Sequence, residues 1–274
     1  MSVVLREAFG KFFADRGTHL AAMVAYFALL SFVPLTFLAL ALLALGGRPD
    51  ESNYVVMELE KALPRTPVTR IVDAVEKIRD NARTLGIIGA VLLAWSSLSL
   101  FSVLESALNI VYARPNRPFL RGKALAVALL VGSLVTLFVG LLAGSFGYNI
   151  TKDLAPGFLA EPHVAYALSV LASMLSIFAF LLAIYYLLTN ERLTLQEVLP
   201  GAVIATVALE VSFQGLPIFI AVSDRATTLH AVGGPIFLLI WLYVMANVII
   251  FGAEVNYCLA RRRVDRVEEI PGLA

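Results

Sequence analysis

Residues 249 to 263 read IIFGAEVNYCLARRR, an apolar run that carries a carboxylate and an amide and then breaks into three arginines. A lone charge among hydrocarbon costs free energy, so Glu254 persists only where something offsets it. Upstream the apolar character reaches back to residue 231. At about 1.5 Å per helical residue, the stretch 231–259 crosses a bilayer core about 30 Å thick. Such a stretch is a membrane-spanning helix with a basic end, and the rest of the chain repeats the pattern.

Hydrophobic residues make up 59% of the 274, against about 45–50% in soluble domains, and mean hydropathy is +0.85. Five further segments reach spanning length, giving six in all: 20–45, 85–111, 124–146, 164–188, 198–222 and 231–259. Hydrocarbon offers the backbone no hydrogen-bond partners, so runs of this length are helices; the short alternating strands of a barrel are absent from the pattern. The first run is longer than a signal-peptide core and reads as a permanent span. The expectation is an all-α integral membrane bundle of six transmembrane helices forming one domain, 1–266, with a short tail at 267–274.

Charge sets the orientation. With six spans both termini share a side, and that side's short segments hold twelve Lys and Arg, from Arg6, Lys11 and Arg16 through Arg114, Arg117, Arg121, Lys123 and Arg192 to Arg261, Arg262, Arg263 and Arg266. The opposite short connections hold Lys152 and Arg225, and the long first connection balances seven basic with seven acidic residues. Both termini are therefore expected in the cytoplasm. Two amphipathic helices are expected outside the spans. PVTRIVDAVEKIRDNAR (67–83) sets Ile71, Val75 and Ile78 on one face, and VVLREAFGKFFADRG (3–17) sets Leu5, Phe9, Phe12 and Phe13 against Arg6, Lys11 and Asp15. TLQE (194–197) reads as a Thr-x-x-Glu capping box opening the fifth span, with Pro200 in its first turn or at a slight kink.

A net charge of +1 without a clustered basic face argues against nucleic acid. The single Cys258 permits no intrachain disulfide, and His19, His163 and His230 stand far apart, so neither a metal site nor a cofactor is implied. No soluble catalytic domain or nucleophile–base constellation is apparent, and the chain does not read as an enzyme.

Three spans carry a glutamate within a polar stripe at helical spacing: Ser102, Glu105, Asn109 and Tyr112; Thr206, Glu210 and Gln214; Tyr243, Asn247 and Glu254, with Asn256 close by. A carboxylate facing lipid costs several kcal/mol, so the stripes are expected to face the bundle interior. Glu105 and Glu254 lie roughly 10 Å from the cytoplasmic ends and Glu210 near the midplane, about 18 Å in. In a shared layer the first two would retain a proton or hold a cation between them, because no Lys or Arg lies well inside a span. Arg261 or Arg262 is a further candidate partner for Glu254, which would make that carboxylate an anchor. The competing reading of all three is hydrogen-bonded packing between helices. Pro34, near Tyr26 and Ser31, and Pro217, Gly233, Gly234 and Pro235 mark places where a helix breaks or ends. Gly140 and Gly144 form a GxxxG pair.

AAMVAYFALLSFVPL (21–35), SALNIVYARPNRPF (106–119), LPGAVIATVALE (199–210) and FLLIWLYVMANVIIFGAEVNY (237–257), in this order, resemble the YihY/BrkB membrane family, long mislabelled ribonuclease BN. The resemblance covers the chain from about Phe9 to Leu259. It implies a six-helix bacterial inner-membrane protein, with Tyr26, Ser31, Pro34, Asn109, Pro200, Gly201, Trp241, Gly252, Glu254 and Asn256 at motif positions. HAVGGP (230–235) departs from the Tyr-Gly-Ser type sequence more usual there. Together these features lead to the expectation of a transporter or flippase-like carrier of a lipid-related or amphipathic envelope substrate. Its cavity would be lined by Glu105, Asn109, Glu210, Gln214, Asn247, Glu254, Asn256, Tyr26 and Ser31, and its partners would be membrane lipids and a proton or cation. The alternative is a non-transporting scaffold for envelope assembly.

Overall fold

A computed structural model describes residues 2–45, 82–133, 162–225 and 234–268, and every regular element among them is a helix. The elements are α1 (Ser2–Ala14), α2 (Gly17–Leu45), α3 (Ala82–Val111), α4 (119–133), α5 (Pro162–Leu187), α6 (Leu195–Arg225) and α7 (Gly234–Glu268). The expected outer amphipathic helix, the Gly140–Gly144 pair and the first four residues of HAVGGP lie outside the described residues. Among the described residues three stretches are long and apolar enough to cross a bilayer: Ile87–Val111, Leu195–Gly215 and Ile236–Arg262. Two shorter apolar helices, Gly17–Phe32 and Ser173–Leu187, accompany them.

Polarity runs opposite to that of a water-soluble protein. Exposed positions recur at helical spacing and are apolar: Ile87, Val91 and Trp95 on α3, Leu171 and Leu175 on α5, Val203, Val207 and Val211 on α6, and Ile236, Ile240 and Val244 on α7. Glu105, Asn109, Thr206, Glu210, Glu254 and Asn256 are buried. A helix that is apolar outward and polar inward is matched to hydrocarbon.

Helix α7 is the hub. It packs on α1, α2, α3 and α6, while α2 lies along α3 and α5 along α6. The core between them is filled by Leu108, Val111, Leu181, Ile184, Tyr185, Leu188, Val198, Ile250 and Ala253. Helices α6 and α7 approach closely through Gly201 and Gly252. A Cβ on Gly201 would strike the Gly252 carbonyl and Asn256, and one on Gly252 would meet the Tyr185 hydroxyl, the Ala205 Cβ at 2.9 Å and the Gly201 carbonyl at 3.0 Å. Small residues are what permit such an approach in a membrane bundle. Neither proline within a span ends its helix. α2 continues past Pro34 and α6 past Pro217, and Pro200 falls in the second turn of α6 rather than the first. At the start of α6 the Glu197 carboxylate accepts from the Thr194 backbone N–H (2.7 Å) and hydroxyl (2.9 Å), which is the glutamate half of the expected capping box.

Two turns shape the basic end of the bundle. Helix α3 closes with Ala113 in the left-handed region (φ 51°), its N–H on the Ile110 carbonyl and that of Arg114 on the Asn109 carbonyl, a Schellman closure without the usual glycine. Between α1 and α2, Arg16 takes a similar conformation (φ 57°), and Gly17 leaves room for the Phe12 ring. Helix α1 thereby folds back on α7 with Val4 and Ala8 buried against Val255 and Cys258. Its apolar residues divide: Phe12 is buried in the bundle, whereas Val3, Phe9 and Phe13 are exposed. Lys11, expected on the polar face, turns inward.

Candidate functional site

The carboxylate in the opening motif is offset by Lys11. Glu254 has no exposed surface, and its Oε2 stands 3.0 Å from Lys11 Nζ. The same ammonium donates to the Val111 carbonyl at 2.7 Å, pairs with Asp15 and lies 4.3 Å above the Tyr257 ring. Asp15 and the Val111 carbonyl take two of its three hydrogens, and Glu254 Oε2 is held at ion-pair distance by the same ammonium. Burial alone would pull the Lys11 ammonium down. The Asp15 hydrogen bond and the Glu254 charge outweigh it and hold the group above its ordinary value, hence charged. The expected partners of Glu254 lie elsewhere: Arg262 pairs with Glu7 on α1, and Arg261 reaches the Tyr257 hydroxyl at 3.4 Å.

Glu105 has a separate cation. Arg117, on the connection after α3, places Nη1 and its backbone N–H each 3.3 Å from Glu105 Oε1. The guanidinium also donates to the carbonyls of Leu188 and Thr189 at the end of α5, where a positive charge suits the helix dipole. Gly122 on α4 makes room for this carboxylate: a Cβ there would lie 3.1 Å from Oε2. Asn109 extends the seam, accepting from the Asn190 N–H (2.7 Å) and donating to Asn116 (3.0 Å). Arg114 pairs with Glu191 across the same two connections. Nearby, burial pushes the Tyr112 phenol up, with the charges of Glu197, Glu254 and Glu191 adding to it.

In place of the proton or cation expected between Glu105 and Glu254, each carboxylate has its own base. Their bases come from segments just outside the spans, because a lysine or arginine side chain is long enough to reach inward from the interface. Position in the sequence relative to the spans hid this. The signal was there in the basic count on one side of the chain, which places Lys11 and Arg117 at the end where Glu105 and Glu254 lie.

Glu210 differs from both. Buried on α6, it accepts from Ser173 of α5 at 2.9 Å and from Gln214 one turn along at 2.9 Å, and no Lys or Arg stands within ion-pair distance among the described residues. The other expected lining residues do not converge on it. Asn247 donates to the Tyr243 carbonyl of its own helix (2.7 Å) and Ser31 to that of Phe27 (2.9 Å). Asn256 accepts from the Gly201 N–H at 2.6 Å and fastens α7 to α6. Tyr26 is 53% exposed and rests edge-on against Phe27. No group of three or more His, Cys, Asp or Glu suited to a metal ion occurs among the described residues.

Lipid-matched helices with buried carboxylates and a cluster of cations at one end define a helical integral membrane protein. The profile of the virulence factor BrkB family matches residues 8–272, and the chain belongs to that family. It is similar to the putative ribonuclease-like protein YfkH of Bacillus subtilis, 28% identical over 269 residues that cover 94% of this chain and 96% of YfkH. It is also similar to UPF0761 membrane proteins of Rhodospirillum centenum (26% identical; 97% of this chain, 60% of that protein) and Chlorobium luteolum (30%; 89% and 57%). The chain therefore spans nearly all of YfkH but under two thirds of these two UPF0761 proteins. No solved structure matches it.

Proposed function

We propose that this protein is a carrier that moves a lipid-related or amphipathic substrate across the bacterial inner membrane, with both termini in the cytoplasm and Glu210 as the group that takes up and releases a proton or cation. The observation that carries this reading is the contrast among the three carboxylates. Glu105 and Glu254 are neutralised by fixed cations, whereas Glu210 is buried with neutral hydroxyl and amide donors alone among the described residues. An intramembrane carboxylate without a resident counter-ion can exchange its charge partner during a cycle, and one locked to lysine or arginine cannot do so cheaply. Glu105 and Glu254 then serve as fasteners that hold the basic end together while Glu210 works nearer the midplane.

The experiment is reconstitution into vesicles with a fluorescent short-chain phospholipid and chemical quenching of the outer leaflet. Wild type accelerates movement between leaflets, and Glu210→Gln, which keeps the side chain's size and one acceptor oxygen but not the charge, abolishes the gain while leaving helix content intact. Movement no faster than in protein-free vesicles, or equal in the variant, sinks the carrier reading. The paired carboxylates favour a second one, a non-transporting scaffold, in which Glu210→Gln is silent in vesicles.

A further inference from the structure

A cavity of about 460 Å³ opens between α1 and the basic end of α7, lined by Glu7, Lys11, Tyr257, Cys258, Arg261 and Arg262. Lys11 is spoken for by Glu254 and Asp15, so the cavity's attraction for an anion falls on the two arginines. Arg262 grips Glu7 with two parallel bonds, Nε to Oε2 at 2.8 Å and Nη2 to Oε1. This fork is the geometry guanidinium uses for phosphate as well as carboxylate. Both partners are substantially exposed, the arginine side chain 34% and the glutamate 48%, and such a pair is held weakly enough for a competing anion to displace it. Arg261 has no carboxylate within ion-pair distance among the described residues, and Tyr257 presents a hydroxyl beside it. The level is that of lipid headgroups: the apolar span of α7 ends at Arg262, and α1, which forms one wall, exposes Val3, Phe9 and Phe13 elsewhere on its surface.

We propose that this cavity binds the phosphate headgroup of an anionic phospholipid on Arg261 and Arg262, with Glu7 holding the phosphate's place on Arg262 until lipid displaces it. The inference goes beyond the carrier reading and does not rest on it. Its signature is a pair of opposite signs: removing the arginine weakens lipid binding, and removing the glutamate's charge strengthens it. A salt bridge that is merely structural gives the same sign for both.

The test titrates the full-length protein in neutral-detergent micelles with short-chain phosphatidylglycerol, phosphatidylcholine or inorganic phosphate, and reads bound lipid by native mass spectrometry. Wild type prefers phosphatidylglycerol. Arg262→Gln weakens it about tenfold, as loss of charge-assisted hydrogen bonds predicts. Glu7→Gln tightens it about threefold, the size of a surface pair's competition. Arg261→Gln, which breaks no described ion pair, weakens binding while leaving the melting temperature unchanged. Failure of Glu7→Gln to tighten binding, or lipid binding indifferent to both arginines, overturns the site. Saturation by inorganic phosphate with no preference for phosphatidylglycerol overturns the lipid assignment.

Discussion

Replacing Lys11 by methionine tests the fastening of α1 most directly. Methionine keeps most of the side chain's apolar stem and removes the ammonium, so Glu254, which has no exposed surface, loses its counter-ion. Breaking a buried pair from one side costs about 3–5 kcal/mol, because the stranded charge has neither water nor a partner. Lys11 retains 23% exposure, which favours the lower figure. About 3 kcal/mol corresponds to a fall in melting temperature on the order of 6–12 °C. The double variant Lys11→Met/Glu254→Gln removes both charges and should regain most of that loss, giving a coupling of about 2 kcal/mol or more. Thermal unfolding of the four proteins in one detergent measures the cycle. A single Lys11→Met costing under about 1 kcal/mol, the worth of a surface pair, would refute the assignment, as would a double variant no more stable than the single.

Three further outcomes follow from the geometry. Gly252→Ala drives a Cβ against the Gly201 carbonyl and the Tyr185 hydroxyl, where backbone cannot yield, and should lower stability by about 1–3 kcal/mol in the same melting assay. Ala113→Gly relieves the left-handed conformation that closes α3 and should raise stability by about 1 kcal/mol. The docking of α1 should depend on pH at both extremes. Glu7 is held below its ordinary 4.5 by the Arg262 hydrogen bond, so its contribution is present above that value and is lost as pH falls through the lowered pKa. Lys11 is raised above 10.5, so its contribution is complete below that value and is lost as pH climbs through the raised pKa. A spin label at Phe9 should be less mobile through the neutral range than in either acid or alkali.

The apolar periodicity of the chain carried the helical, lipid-matched architecture, because hydrocarbon leaves a long apolar run no alternative. It carried the inward direction of Glu105, Glu210 and Glu254 for the same reason, and all three are buried. It did not carry their partners. Helical spacing places residues on the faces of their own helix, whereas Lys11 reaches Glu254 from 243 positions away and Arg117 folds back on Glu105 from the turn beyond the helix end. Side-chain reach across a fold is invisible to periodicity. Prolines are a weaker signal than their chemistry suggests: α2 and α6 continue past Pro34 and Pro217, since one lost hydrogen bond is tolerable inside a packed helix. The close approach of α6 and α7 at Gly201 and Gly252 was likewise hidden, because glycines 51 positions apart in sequence form no local motif.

Arg117 bridges a carboxylate on α3 and the terminal carbonyls of α5, two helices separated by a long stretch of chain. It acts as a rivet set at one edge of the barrel of rods. Any alternation of shape in this protein therefore carries α3 and the end of α5 together at this edge, unless the guanidinium first releases the carboxylate or the carbonyls.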